Sequence, residues 1–211
     1  MWDKIRRKIM MLGMSIVAVF AFAAVASASA SAAEWLHNGE PISTPQATTV
    51  TSSGLRLTDE NSGLFGETVT VECAGTGSGT VGPGGADTVA SITPTNCKTV
   101  AGTCATSPTV SPLHLTWDTE LVEEGGQVRD RVRNSGSGNP GWKVECLFGI
   151  TDECTSNTGY LTITGFGPPT VTGKFEEKGT RATCTRTGKE SGFVEGEVTI
   201  SLTDGHELSI E

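Results

Sequence analysis

The chain of 211 residues has one tyrosine and three histidines, and only 18% of its residues are charged. That charge is too low for an acidic disordered tail. Glycine and threonine take the place of the Ala, Leu, Glu and Lys that helices favour, and after residue 33 no window repeats apolar residues at helical spacing. A helical bundle is thereby excluded. No H-E-x-x-H occurs, which removes a zincin, and no G-x-S-x-G occurs, which leaves a nucleophile elbow without support. No C-x-x-C stands anywhere, so a cysteine metal site is a weak reading. His37, His114 and His206 are isolated; His114, between Leu113 and Leu115, is the best placed to act as a base, against the plainer reading of a sheet-face histidine.

What is present begins with an address. Lys4, Arg6, Arg7 and Lys8 precede an apolar run from Ile9 to Ala26, and small residues fill Ser27 to Ala33. A basic start, an apolar middle and an A-x-A-like end describe a signal peptide over 1–33, an apolar signal helix cleaved after Ala32 or Ala33; an uncleaved anchor is the alternative, at the lower limit of length. No cysteine follows the run, which disfavours a lipoprotein, and the last residues, His206 to Glu211, carry no apolar anchor. The whole chain has 15 Lys and Arg against 24 Asp and Glu; the leader takes four cations and one acid, leaving 11 and 23 and a net charge of -12. A domain so acidic is repelled by nucleic acid and by anionic lipid.

All six cysteines, at 73, 97, 104, 146, 154 and 184, lie after the leader. An even count in an exported chain predicts three disulfides, whose connectivity sequence alone does not fix. The pairing favoured by short polar loops is Cys97 with Cys104 and Cys146 with Cys154, leaving Cys73 for Cys184.

Strand and turn signals fill the rest. Asn38-Gly39 sits between two short extended runs as a type I′ hairpin turn, and Pro41 assigns its strand to an edge. Period-two alternation marks 69–73, 113–117, 142–146, 160–166, 171–175, 194–202 and 208–210. The pattern predicts an all-β, disulfide-linked β-sandwich over 34–211 with about 10–13 short strands. An echo, Asn61-Ser62-Gly63 ten residues before Val71-Glu72-Cys73 and Asn134-Ser135-Gly136 ten before Val144-Glu145-Cys146, raises a second arrangement: two related small sandwich halves, with a break near 105–112. Generic turn chemistry explains the same echo.

Gly77-Ser78-Gly79-Thr80-Val81-Gly82 fits G-x-G-x-x-G but is followed by Pro83-Gly84-Gly85 rather than a helix, so it reads as a flexible loop. Asp59 and Asn61 are spaced like the start of a calcium loop, yet Thr70 holds the position a bidentate glutamate requires. An ordinary Asx turn is the plainer reading; a weak calcium site there or near Asp152-Glu153 is the other. Arg129, Arg131 and Arg133 project from one strand face opposite Val128 and Val132, either paired with Glu120, Glu123 and Glu124 or forming a recognition patch for a carboxylate or phosphate. Trp117 and Trp142 fall on apolar faces and are expected in the core, whereas Trp35 is the tryptophan expected to be exposed for binding.

Glu34-Trp35-Leu36, TVGPGG at 80–85, LHLTWDTELVEEGG at 113–126, RDRV at 129–132 and GNPGWKVEC at 138–146 together resemble a family of exported proteins of soil actinobacteria. That family occurs as many divergent copies per genome and has no assigned activity. The resemblance covers essentially the whole chain and implies a secreted, disulfide-bonded, β-rich domain, without catalytic residues to carry over.

The expected function is a non-enzymatic extracellular or envelope-associated β-domain, binding or structural. Its partner would be a wall component, a polysaccharide or an extracellular protein, with no cofactor, no nucleic acid, and no membrane after leader removal; the oligomeric state stays open. A secreted inhibitor or effector, signalled by a rigid loop over Asn96 to Cys104, and a small extracellular hydrolase are the other readings.

Overall fold

The computed structural model describes residues 33–63 and 65–211; apart from Ala33, the expected leader lies outside them. Fifteen strands follow one another: β1 (Trp35–His37), β2 (Glu40–Pro41), β3 (Gln46–Asp59), β4 (Val69–Val81), β5 (Ala86–Ala101), β6 (Thr109–Leu113), β7 (Trp117–Glu124), β8 (Gln127–Asn134), β9 (Gly141–Glu145), β10 (Thr151–Thr155), β11 (Thr158–Gly165), β12 (Val171–Phe175), β13 (Ala182–Cys184), β14 (Lys189–Leu202) and β15 (Leu208–Ile210). Among the described residues no helix is long and apolar enough to cross a membrane.

The architecture is all-β and sandwich-like, with three disulfides and two sheets, one in the order β15-β1-β2 and one in the order β12-β11-β8-β7-β5-β4-β3-β14-β13-β10-β9-β6. The large sheet folds over on itself. One edge of β14 pairs with β3; the other gives Lys189 to Gly192 to β13 and Gly196 to Ile200 to β12. Because β12 also pairs with β11, the strands from β12 to β14 close into a ring, and β13-β10-β9-β6 branches from it.

The turn chemistry works as expected. Asn38 and Gly39 both have positive φ, 52° and 80°, and join β1 to β2, with Pro41 on the outer strand of the small sheet. The strand count and lengths need correction, since β3, β4, β5 and β14 run for 14, 13, 16 and 14 residues. The glycine-rich stretch after Ala74 is not a flexible loop but the second half of β4. Its glycines admit a close neighbour: a Cβ at Gly77 would stand 2.9 Å from the Ser91 carbonyl, and one at Gly79 would overlap that of Thr88. Hydroxyl pairs also span this region, Ser78 with Ser91 at 2.7 Å and Thr80 with Thr88 at 3.0 Å.

The largest core cluster gathers Trp35, Val81, Leu121, Leu161, Ile163, Val171, Val198, Ile200, Leu202, Leu208 and Ile210, so the small sheet lays its inner face on the ring. Trp35 is 1% exposed and is therefore a core residue, not an exposed binding aromatic. A second cluster holds Val71, Cys73 and Val144, and a third holds Cys154, Ala182 and Cys184. Strand β4 supplies Val81 to the first cluster and Val71 to the second, and the two Val-Glu-Cys segments meet in one cluster.

The bridges are Cys73–Cys97, Cys104–Cys146 and Cys154–Cys184, which corrects the expected pairing throughout. Strand pairing, not loop length, brings the Cβ atoms within reach. Cys73 and Cys97 lie on the paired strands β4 and β5, and Cys154 stands directly opposite Cys184 in the β10–β13 register. Asn96 to Ala101 belongs to β5, so the rigid loop expected over Asn96 to Cys104 does not form.

One polar feature sits inside the first cluster. Asp130, between Arg129 and Arg131, points inward with Val132 and is 6% exposed; Asp87 is 9% exposed, and Thr119 donates a hydrogen bond to it. Burial pushes the Asp130 carboxyl from 3.8 up to about 7. Asp87 is raised well above its ordinary range by burial and then by Asp130, against the opposing hydrogen bond from Thr119.

Two outcomes follow from this core. The native protein should titrate no free thiol, and Cys154→Ala with Cys184→Ala, which opens a loop of 30 residues, should lower the unfolding free energy by about 3.5 kcal/mol in denaturant titrations. A positive thiol titre in the folded protein would contradict the connectivity. Raised carboxyls make the folded state hold protons more tightly than the unfolded chain, so the contribution of Asp130 is complete below about 3.8 and is lost as pH rises through about 7. Glu72, held low by Lys98 and Arg56, acts in the opposite sense only as pH falls below the ordinary glutamate range. Thermal unfolding should therefore occur several degrees higher at pH 5 than at pH 8, Asp130 alone supplying about 2–3 kcal/mol of the difference, and Asp130→Asn should shrink that gap.

Candidate functional site

The long strands bend between the core clusters. Register shifts interrupt β3 between Ser52 and Leu55, β4 between Glu72 and Ala74, and β14 between Glu195 and Thr199. Bulges of this kind re-aim side chains and increase local twist. Gly196, at φ 133°, takes a conformation that other residues resist, and a Cβ there would stand 2.6 Å from the Gly54 carbonyl.

At this level lies a cleft of about 170 Å³. Its walls are Leu55 and Leu57 of β3, Gly75 of β4, Ile92 and Pro94 of β5, Val110 and Pro112 of β6, Trp117 of β7, Val132 of β8, Trp142 of β9, Phe175 of β12 and Val194 of β14. Most of these, including both tryptophans, are half-buried, so their apolar faces remain open to the cleft. Trp117 and Trp142 were expected in the core; both stand half-buried at the wall, Trp142 packed against the second and third clusters.

The chemistry of the lining is uniform. Among the described residues no charged side chain and no histidine contributes to it. Three of its side-chain polar groups are already bonded within the protein: Trp117 Nε1 donates to the Leu113 carbonyl at 2.8 Å, Ser156 Oγ to that of Thr158 at 2.8 Å, and Thr180 Oγ1 to that of Val194 at 2.7 Å; the Trp142 indole N–H makes no such bond among the described residues. Gly159 also lines the cleft, and a Cβ there meets nothing nearer than 3.9 Å.

A second hollow, of about 60 Å³, is bordered by Asp59, Ser62, Leu147, Phe148, Asp152 and Arg186. Asp59 ends β3 and meets Asp152 of β10 beside the Cys154–Cys184 bridge. The Asp59 carboxyl is raised to about 7, first by burial and then by Asp152, and it accepts a hydrogen bond from Ser191 Oγ. Asp152 Oδ1 accepts from Thr185 Oγ1 and from the Arg186 backbone N–H, each at 3.1 Å. Two facing acids with one free oxygen on Asp59 suit a shared proton. They do not suit calcium, because the other groups gathered with them are sulfurs, which that ion does not take, and Arg186 Nε bonds the Ser62 carbonyl at 2.6 Å. Asn61, the expected second calcium ligand, is exposed with φ 62°, and so Asp59 and Asn61 form no oxygen cage.

Arg129, Arg131 and Arg133 share a face of β8. Arg131 and Arg133 both bond Glu120, Arg129 lies 3.7 Å from Glu124, and the Arg129 guanidinium stacks 5.6 Å from the Tyr160 ring centre. Glu123 takes no part in these contacts. The stripe lies away from the cleft lining. His114 is not on a strand: it is exposed at φ 55°, between β6 and β7, and its Nδ1 lies 2.8 Å from the Asn139 carbonyl.

Sequence reasoning missed the cleft because its lining comes from ten separate strands, each contributing a few residues that look like core. It also missed a sequence repeat, Leu64-Phe65-Gly66-Glu67-Thr68 and Leu147-Phe148-Gly149-Ile150-Thr151, whose phenylalanines are both 93% exposed. The two copies were legible as an identical Leu-Phe-Gly tripeptide ahead of alternating stretches.

Comparison with protein-family models, with curated proteins and with solved structures finds no match. The reading of the site therefore rests on its own geometry.

Proposed function

We propose that the chain is an exported, non-enzymatic binding domain of the cell exterior, and that the cleft between the core clusters is its binding seat. The observation that carries this reading is the lining: apolar, uncharged, and with the polar groups of Trp117, Ser156 and Thr180 already bonded. Such a surface holds a group but offers no acid, base or nucleophile to a reacting bond.

Export is supported by the leader pattern and by the use of all six cysteines in bridges, which suits an oxidising compartment. Of the two expected cleavage positions, the one after Ala32 keeps Ala33, whose side chain is buried in the first cluster. The resemblance to exported actinobacterial proteins belongs to the same proposal and supports secretion.

The test is retention of the purified, oxidised protein on the insoluble envelope of its native host, beside Gly159→Ile. Isoleucine at that position suits a strand and fills the cleft from within. Saturable retention of the native protein, none after denaturation, and at least a tenfold loss for Gly159→Ile at equal or higher melting temperature is the expected result. Absent retention, or equal retention of both proteins, would overturn the reading.

A further inference from the structure

We propose that the group taken by the cleft is an uncharged hydrocarbon about one ring in size; this rests on the cleft being the binding seat. A charged ligand would lose its hydration to a lining that contains no opposite charge. A sugar would fare little better. Its hydroxyls would need partners, yet the Trp117 indole N–H is turned to the Leu113 carbonyl, and the Ser156 and Thr180 hydroxyls are held by Thr158 and Val194. With the Trp142 indole N–H as the one unbonded side-chain donor among the described lining residues, the tryptophans offer a polyol too few partners and recognise an apolar face instead.

The volume sets the size. An engineered apolar cavity of about 150 Å³ stays dry and admits benzene. The cleft, at about 170 Å³, accommodates a ring with a methyl group or a chain of about six carbons. A ring and a chain share this chemistry and are told apart by experiment.

The oxidised protein is titrated with toluene, with n-hexane and with cellotetraose, following tryptophan fluorescence and melting temperature, in parallel with Gly159→Ile. Saturable binding of toluene or n-hexane with a rise of about 3 °C or more near saturation, weakened at least tenfold in Gly159→Ile, is expected; the stronger of the two identifies ring or chain. No saturable response to either hydrocarbon, a response untouched by Gly159→Ile, or a stronger response to cellotetraose would each overturn the proposal. If Gly159→Ile loses envelope retention while the hydrocarbons do nothing, the seat stands and the ligand class falls. If the hydrocarbons bind and envelope retention ignores the cleft, the ligand class stands and the exported-binder reading falls.

Discussion

A strand has two edges, and β14 must serve three partners. It gives one edge to β3 along most of its length, so β13 and β12 divide the other. The division falls between Gly192 and Gly196, where the strand has to turn from one partner to the next. Gly192 lies against the Cys154–Cys184 sulfurs, and Gly196 passes close to the Gly54 carbonyl; neither place has room for a side chain. Val194, between them, faces the cleft. The closed ring, its branch and the hollow at their junction are thus three results of one fork.

The two sides of that fork are held by different forces. The first cluster has no bridge and relies on apolar packing around a carboxyl pair, Asp87 and Asp130. The other clusters are small and contain all six cysteines, two of them beside the Asp59 and Asp152 pair. Covalent links compensate where the apolar core is thin. The cleft opens between the clusters, lined by Cys73 of one bridge and by half-buried leucines, prolines and tryptophans.

Local signals in the sequence were read correctly where backbone chemistry decides the outcome. Asn38-Gly39 had to turn, Pro41 had to lie at an edge, and the alternation at 69–73 and 142–146 had to form strands. The errors came where a distant neighbour decides. Gly77 and Gly79 look mobile until the carbonyls of β5 are set against them. Cys97 and Cys104 look like a loop closure until β4 and β9 bring other partners nearer. Asp130 was hidden by the arginines around it, although period two assigns it to the same face as Val132. Trp35 looked exposed because it follows the leader, yet the small sheet turns it inward.

The edges of the sheets have a consequence for life at high concentration. Strand β12 is paired on both sides, β15 donates the N–H groups of Leu208 and Ile210 to the carbonyls of Pro169 and Phe166, and the free outer strands β2 and β6 carry Pro41 and Pro112. Proline has no N–H to offer an incoming strand, so each open edge ends in a residue that interrupts templated pairing. A chain so rich in β-structure is thereby protected from amyloid-like stacking of one copy on the next.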